Sequence, residues 1–386
     1  MRYIGALVMV GVLLAGCTAE STLLLGAVED AGPPTTITMM APATPATATP
    51  AATITTHITT TTTLRPLVVA LAGDTSFTHG LAFQDPLGEL DRILSAPDLT
   101  LVNLETTIAE PDVGQPYAKE YTFKSPPESP RVLIAAGIDG VALGNNHALD
   151  FGPTALMRTL ELLDGAGLAR AGAGENRTEA FAPMMFEAAG RRVAVLSFSR
   201  ILSQASWAAD TDRPGIASAY AEWIPETVAA VERAASDADL VAVMVHWGEE
   251  LSDCPALYQR ELATTWVGAG ADLVVGSHPH VLQGVEQIGD AWIVYSTGNF
   301  AFPSARGRSA DSAVFEFTVD EGGTRLIVHP IHIVAGRPHP ASDTQAFEIL
   351  SLLSEHSLGV AFDQDGVAVA SDSPGSCEWA DDSAGG

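Results

Sequence analysis

Short apolar runs rich in Val, Leu and Ile recur from residue 67 onward, each bounded by polar residues or glycine, as is typical of strands buried on both faces. Amphipathic stretches of helical length separate several of these runs, at Pro153–Gly165, Pro225–Ser236 and Pro255–Ala269. The alternation predicts a layered α/β domain. The runs are Leu67–Ala72, Leu99–Leu104, Gly140–Leu143, Val193–Phe198, Leu240–Val245, Leu273–Val275 and Trp292–Tyr295.

Two further pairs of runs flank short segments that contain glycine, which predicts antiparallel hairpins. The pairs are Val281–Ile288 with Ala291–Thr297, and Ser312–Val319 with Thr324–Ile333. Hairpins beside strand–helix alternation indicate mixed sheets. We therefore expect one folded domain over residues 65–340, with a weakly patterned tail over 341–386 packed on its surface.

The first part of the chain has a different pattern. An apolar run, Ile4–Ala15, follows Arg2 and is shorter than the roughly 20 residues that span a bilayer. It predicts a signal peptide over residues 1–16. The residues before Cys17 resemble a bacterial lipobox, so we expect Cys17 to carry lipid. The lipid would hold the exported chain at the extracytoplasmic face of the cell membrane. The alternative is an ordinary secretory signal with an incidental cysteine.

Residues 17–64 are rich in Thr, Ala and Pro and carry almost no charge. They have no apolar face that a core would need, so we predict a disordered stalk. Cys254 and Cys377 are then an even pair in an oxidising compartment. A disulfide between them would tie the tail to the domain, and two free thiols are the alternative.

The net charge of the chain excludes some classes of function. The 386 residues include 19 Lys+Arg and 47 Asp+Glu, a formal net charge of -28. This balance argues against nucleic-acid binding, which needs a basic face, and against a polybasic contact with anionic lipid. The 47% of hydrophobic residues is enough to fill a core, which excludes disorder throughout.

Polar side chains cluster where the apolar runs end. Because ligands bind beyond the carboxyl ends of strands in open α/β sheets, six segments that are distant in sequence are expected to converge on one crevice. Taken alone, an Asp at the end of a strand is often a helix cap, and a single His often has a structural role. The six segments in this order are a stronger indication of a shared site than any one of them. The segments are Gly73-Asp74, Asn103–Glu105, Gly144–Asp150, His246–Glu250, Gly276–His280 and Ser296–Phe300.

These segments supply imidazole, carboxylate and amide groups without a thiolate, a donor set that suits divalent ions. In order, they resemble the bacterial capsule-synthesis CapA (PGA_cap, poly-γ-glutamate) family, whose domain is similar to the calcineurin-like metallophosphatases. The matching motifs are Gly-Asp, Asn-Leu-Glu, Asn-Asn-His-x-x-Asp-x-Gly, His-Trp-Gly-x-Glu, Gly-x-His-x-His and Ser-x-Gly-Asn-Phe. The resemblance covers roughly residues 67–335 and implies a two-sheet β-sandwich of mixed sheets, flanked by helices, with its site at one edge.

The resemblance also implies roles for single residues. His147 stands where the family protonates a leaving oxygen, and Asp150 would orient it. Two divalent ions, Mn, Fe or Zn, are implied, although Ser76 stands where a metallophosphatase has a further His. Glu105 stands where a phosphatase has a bridging Asp. The implied metal ligands are Asp74, Glu105, Asn146, His246, His278 and His280.

Three residues are candidates for substrate binding. Lys124 lies with Lys119, the only other lysine, in a segment expected to form a lid. Arg213 in Asp-Arg-Pro-Gly would contact an anion, with a structural turn as the alternative. Asn299 would close the site from its far side.

Three functions fit this sequence. The first is an exported, membrane-anchored, dinuclear metal-dependent hydrolase of capsule (poly-γ-glutamate) or cell-wall polymer biosynthesis. Its expected partners are the polymer and membrane proteins of capsule synthesis. The second is a non-catalytic protein of the same fold that binds or tethers the polymer. The third is a phosphatase or phosphodiesterase that acts on exported phosphoesters.

Overall fold

The structure is a computed structural model that describes residues 64–78 and 87–377. The predicted signal peptide, the expected lipid site at Cys17 and the stalk up to residue 63 lie outside the described residues. Within those ranges, no helix combines the length and the apolar character needed to cross a bilayer.

Strands form where the apolar runs predicted them, and short additional strands occur between them. In chain order the described strands are β1 Leu67–Thr75, β2 Leu99–Leu104, β3 Thr107–Ile108, β4 Lys124–Ser125, β5 Gly140–Ala142, β6 Ala169–Ala171, β7 Ala173–Gly174, β8 Met184–Ala188, β9 Arg191–Ser199, β10 Gly215–Ile216, β11 Leu240–His246, β12 Leu273–Ser277, β13 Val285–Ile288, β14 Ala291–Val294, β15 Asp311–Asp320, β16 Gly323–Val334, β17 Arg337–Pro340, β18 Val360–Phe362 and β19 Ala368–Ala370.

Three long helices fall on the predicted amphipathic stretches, and a fourth lies near the C-terminal end. The described helices are α1 Asp91–Ser95, α2 Ser129–Ala135, α3 Pro153–Ala166, α4 Arg177–Ala180, α5 Ile224–Asp237, α6 Leu257–Gly268 and α7 Asp343–His356. Helix α3 begins at Pro153 and ends at Ala166, and the following Gly167 adopts the left-handed conformation that terminates many helices.

Two large mixed sheets carry the fold, as predicted. One has the strand order β17-β16-β15-β1-β2-β5-β6, with β1, β2, β5 and β6 parallel and the remainder antiparallel. The other has the order β13-β14-β12-β11-β9-β8, with parallel β9, β11, β12 and β14 between antiparallel edge strands. Both predicted hairpins form, as β13–β14 and β15–β16.

The apolar residues of each central strand face two different cores because side chains alternate along a strand. In β1, Leu67, Val69 and Leu71 belong to the core between the sheets. Ala70 and Ala72 face the opposite side, where helices α1, α2 and α3 cover the first sheet. Helices α5 and α6 cover the outer face of the second sheet in the same way. The layers are therefore helix, sheet, sheet, helix.

The C-terminal part of the described chain contains a helix that the sequence analysis did not predict. Helix α7 begins after Ser342 and buries Ile349, Leu350 and Leu353 in the core between the sheets. Farther along, Cys377 is joined to Cys254 by a disulfide with a Cα–Cα distance of 5.4 Å. The bond closes a sequence separation of 123 residues.

Replacing both cysteines, as Cys254→Ser with Cys377→Ser, is expected to lower the free energy of unfolding by about 2–5 kcal/mol, because the unfolded chain loses a constraint across a long loop. Denaturant unfolding of the oxidised protein measures the loss. Reductant should destabilise the wild type toward the same value and leave the double variant unchanged. Equal stability of the two proteins would contradict a bond between these residues.

Candidate metal site

The candidate site lies at the edge where parallel strands of both sheets end. Asp74 is near the end of β1, Glu105 follows β2, and His246 ends β11. His278 and His280 follow β12. The two sheets therefore bring together residues more than 200 positions apart, as the strand-end pattern predicted.

Gly73 permits close contact between β1 and the segment that carries Asn299. The Asp74 amide donates to the Gly298 carbonyl at 3.1 Å, and Asp74 and Asn299 form a β-bridge. A Cβ at Gly73 would collide with that same carbonyl oxygen. Glycine is therefore required where these two segments meet.

Asp74 is fully buried, and its carboxylate is held on both oxygens. Oδ1 accepts from Asn103 Nδ2 at 2.7 Å, and Oδ2 accepts from the His278 amide at 3.2 Å. His280 Nδ1 lies 3.1 Å from Oδ2. Burial by itself raises the pKa of Asp74, but the hydrogen bond and charge of His280, with His246 and Asn103, outweigh it and lower the pKa.

Glu105 is also fully buried, and neither of its carboxylate oxygens has a hydrogen-bond partner among the described residues. Three imidazoles surround it. Its Oε1 lies 3.3 Å from His246 Nε2, 3.7 Å from His147 Nε2 and 3.9 Å from His280 Nε2. A buried carboxylate without hydrogen bonds is costly, so its environment needs a positive charge in this space.

His278 has an unpartnered nitrogen as well. Its Nδ1 is buried and has no hydrogen-bond partner within the described ranges, and its ring lies 4.7 Å from that of His246. Burial, and then the charges of the neighbouring histidines, hold the pKa of His278 well below its usual range. A neutral imidazole presents the lone pair that a metal ion binds.

His280 differs from His278 in its contacts and in the direction in which its pKa is shifted. Its Nδ1 lies 2.9 Å from Asn299 Oδ1. Burial opposes its charged form, but Glu105, Asp74 and the bond to Asn299 outweigh burial and raise the pKa of His280 to about 10. His278 and His280 both have positive φ, 97° and 57°, a conformation that side chains other than glycine seldom adopt.

These donors fit a divalent metal ion. Ligand atoms of Glu105, His278 and His280 all lie within 4.8 Å of one another. Two of these residues carry buried polar atoms that no other described group satisfies. The mixed nitrogen and oxygen set is one that Zn, Mn and Fe accept. His246 and Asn146 adjoin it, with His246 Nε2 2.9 Å from Asn146 Oδ1.

His147 faces the cluster from another side and is held by two partners. Its Nδ1 lies 2.7 Å from Asp150 Oδ2, and its ring stacks on Phe123 with centroids 4.1 Å apart. Asp150 also accepts from the Phe123 amide at 2.6 Å. This bonding leaves His147 Nε2 directed toward the site.

Lys119 completes this group, although the sequence analysis did not select it as a site residue. Its ammonium lies 2.5 Å from Asp150 Oδ1 and donates to the Asn146 carbonyl at 2.7 Å. It also lies 5.3 Å from the centroid of the Trp207 ring. Its rarity and its place in the expected lid were the only signals for it in the sequence.

The structure does not bring two of the predicted substrate-binding residues to the cluster. Lys124 donates to backbone carbonyls, including that of Val113 at 2.7 Å, and lies over the Phe151 ring. Arg213 donates to the Ala208 carbonyl at 3.1 Å and sits in a local turn, which was the structural alternative. Asn299 does lie at the site, where it contacts His280.

The layered fold and its edge of imidazoles and carboxylates define a two-sheet α/β sandwich, flanked by helices, with a candidate metal site. Within that class, the family model described as "Bacterial capsule synthesis protein PGA_cap" matches residues 54–304. The chain belongs to this family.

Two curated relatives agree with that assignment. The chain is 35% identical over 227 residues to "Capsule biosynthesis protein CapA" of Bacillus anthracis, covering 58% of this chain and 53% of that protein. It is 33% identical over 254 residues to "PGA biosynthesis protein CapA" of Bacillus subtilis, covering 65% and 66%. The matches thus span about half to two thirds of these relatives.

A solved phosphatase from Mycoplasma pneumoniae superposes with a TM-score of 0.45 at 15% identity, covering 72% of this chain and 96% of that one.

The Lys119–Asp150 ion pair is expected to be coupled energetically. Lys119→Met should lower the free energy of unfolding by about 3–5 kcal/mol, because it leaves the buried Asp150 carboxylate without its cation. Combining it with Asp150→Asn should cost less than the sum of the two single changes, by about 1–3 kcal/mol. Denaturant unfolding of the metal-free proteins measures this cycle.

The control is the exposed pair Arg325–Asp320, whose nitrogen and oxygen are 3.0 Å apart. Its coupling should be no more than about 1 kcal/mol, because water screens it. Additive effects for Lys119 and Asp150 would contradict a stabilising contact between them.

Proposed function

We propose that this protein is an exported, membrane-anchored, metal-dependent hydrolase that acts in the biosynthesis of capsule, of the poly-γ-glutamate kind, or of a cell-wall polymer. The observation that carries the proposal is the pair of unsatisfied buried groups, Glu105 and His278, beside His280. A bound metal ion would satisfy both groups, which favours a metal-dependent role over polymer binding alone. The polymer class follows the names of the family and its relatives.

The residues that would hold the metal are contributed by both sheets. When bound, divalent ions lower the pKa of a coordinated water and polarise the bond under attack. The chain supplies the remaining functions. Asp74 is fixed in place by Asn103 and the His278 amide. The proposed ligands are Asp74, Glu105, Asn146, His246, His278 and His280.

His147 would donate a proton to the leaving group. Its Nδ1 is bonded to Asp150, so the tautomer that donates there keeps an acceptor at Nε2, and a protonated ring donates from Nε2. Lys119 is paired with Asp150, which holds that carboxylate in the position from which it orients the His147 ring. The stacked Phe123 limits water access to one face of the ring.

A second candidate is a polymer-binding protein of the same fold without catalysis. Ser76 supports it, because this residue stands where a metallophosphatase has a further histidine and its hydroxyl is bonded to Thr78 Oγ1 at 3.1 Å. One metal position would then lack a ligand. A phosphatase acting on exported phosphoesters is a further alternative. It would cleave a phosphoester bond, whereas cleavage of an amide bond would favour the main proposal.

His278→Ala is expected to lose most of the metal and the hydrolysis that depends on it. We predict that the wild type binds Mn, Fe or Zn and that His278→Ala binds at least about tenfold more weakly, since one ligand is removed. Calorimetry at pH 8 should also show proton release on binding, because His280 is protonated there in the metal-free protein. Turnover is assayed on a phosphodiester and on γ-linked glutamyl oligomers.

The matched control is His329→Ala, which removes a half-buried histidine paired with Glu316 at 3.0 Å. It should keep wild-type metal content and turnover. Metal binding without turnover on either substrate would favour the polymer-binding candidate. Equal metal and activity in the wild type and His278→Ala would refute the hydrolase.

The proposed location rests on the sequence around Cys17. Cys17→Ala is expected to move the protein from the membrane fraction to a soluble exported or uncleaved form, because the lipid-bearing thiol is lost. Mass spectrometry of the mature N-terminus and fractionation measure this. Normal processing and unchanged membrane association of Cys17→Ala would contradict the lipid anchor. The proposed partners are the polymer itself and membrane proteins of capsule synthesis.

A further inference from the structure

A cleft of about 460 Å³ adjoins the candidate metal site. His147, His280 and Asn299 form the end that belongs to the site, and the loop after Phe300 forms one wall. The cleft thus extends from the proposed reaction centre to the surface. Its lining also includes Phe123, Glu250, Leu251, Phe302, Arg306 and Arg308.

Apolar side chains make up much of the lining near the site. The Phe302 ring lies 5.0 Å from that of His280 and 5.4 Å from that of Phe123. Leu251, which is 51% exposed, lines the cleft farther out. An occupant that contacts these groups gains by carrying methylene carbons. The cleft is therefore suited to a chain with an aliphatic part and not to a lone small ion.

The wall that carries Arg306 is fixed to the candidate metal site. Asn299 Nδ2 donates to the Ser309 carbonyl at 2.9 Å and to the His280 carbonyl at 3.2 Å. Ser309 Oγ accepts from the Arg306 amide at 3.1 Å. The backbone of Arg306 is thus linked to His280 through two residues, so its position relative to the site is set by the fold.

The two arginines of the cleft differ in how they are engaged. The Arg308 guanidinium is paired with Asp253 and donates to the Leu251 carbonyl, so it fastens one wall to the other. Among the described residues, the exposed Arg306 guanidinium donates only to the Ser304 carbonyl, at 3.3 Å, and has no carboxylate partner. In a chain of net charge -28, a guanidinium at a cleft that is not paired with a carboxylate of the chain is available to a ligand.

We propose that Arg306 is a specificity-determining residue that pairs with a carboxylate on the substrate, while the aliphatic part of the substrate packs against Phe302 and Leu251. This inference rests on the proposed function, whose site forms one end of the cleft. A guanidinium matches a carboxylate with two parallel hydrogen bonds, and the pair is strengthened where the cleft excludes water. The substrate class is an oligomer whose aliphatic units carry carboxylates.

Glu250 provides a second residue at which the proposal can be tested, with an effect opposite to that of Arg306. It is exposed and lines the same cleft, so its carboxylate repels an anionic occupant. Removing the charge of Arg306 and removing that of Glu250 should therefore have opposite effects on an anionic ligand. A loss of folding would change binding in one direction for both.

The test is calorimetry of the metal-loaded full chain with a tetramer of γ-linked glutamate and with the same tetramer in which the α-carboxylates are carboxamides. We expect Arg306→Gln to weaken binding of the acidic tetramer about tenfold, the loss of one charged hydrogen-bonded contact, and to leave the neutral tetramer unchanged. Glu250→Gln should bind the acidic tetramer a few-fold more tightly. Added salt should weaken acidic binding in the wild type more than in Arg306→Gln.

The control is Arg213→Gln, which removes an exposed arginine that lies outside the cleft and should change neither affinity. Wild-type affinity of Arg306→Gln for the acidic tetramer, equal binding of both tetramers by the wild type, or binding of neither would overturn the inference. Each of those results leaves the loss of metal in His278→Ala intact. If the wild type binds no metal but the Arg306 effect appears when the same titrations are run without metal, the hydrolase is refuted and the cleft assignment stands.

Discussion

The buried carboxylate of Glu105 is the constraint on which the rest of the site depends. It lies at the edge of an apolar sandwich, with neither oxygen hydrogen-bonded among the described residues and three imidazoles within 4 Å of Oε1. Such a group is stable only where positive charge is held beside it. In the metal-free protein a protonated His280 supplies part of that charge. A divalent ion would supply it more fully, and the neutral His278 is prepared to bind one.

The layered fold is what makes this arrangement rigid. Parallel strands of two sheets end at one edge, and the packed core between them leaves their relative position little freedom. Gly73 permits β1 to approach Gly298, so that Asn299 reaches His280. Asn299 in turn holds the loop that carries Arg306. One series of contacts thus connects the core, the candidate metal ligands and the wall of the cleft.

The sequence predicted the central strands, three helices and the converging segments because each leaves a local signal: apolar runs, amphipathic period and polar residues at strand ends. Helix α7 was missed although Ile349, Leu350 and Leu353 repeat with a helical spacing, because the surrounding tail is weakly patterned. Lys124 was selected for its charge and its place in an expected lid, and Arg213 for its charge, but backbone carbonyls engage both. Lys119 and Arg306 lie in loops whose paths are set by tertiary contacts, which local pattern does not encode.

We expect Glu105, His278 and His280 to bind a divalent metal ion together. A crystal structure of the Mn-loaded protein, with anomalous diffraction measured at a wavelength that identifies Mn, tests it most directly. The account predicts an anomalous peak within coordination distance, about 2.0–2.3 Å, of a Glu105 oxygen and of the His278 and His280 rings. A fully loaded crystal with no peak at this edge, or with its metal elsewhere, would contradict the account.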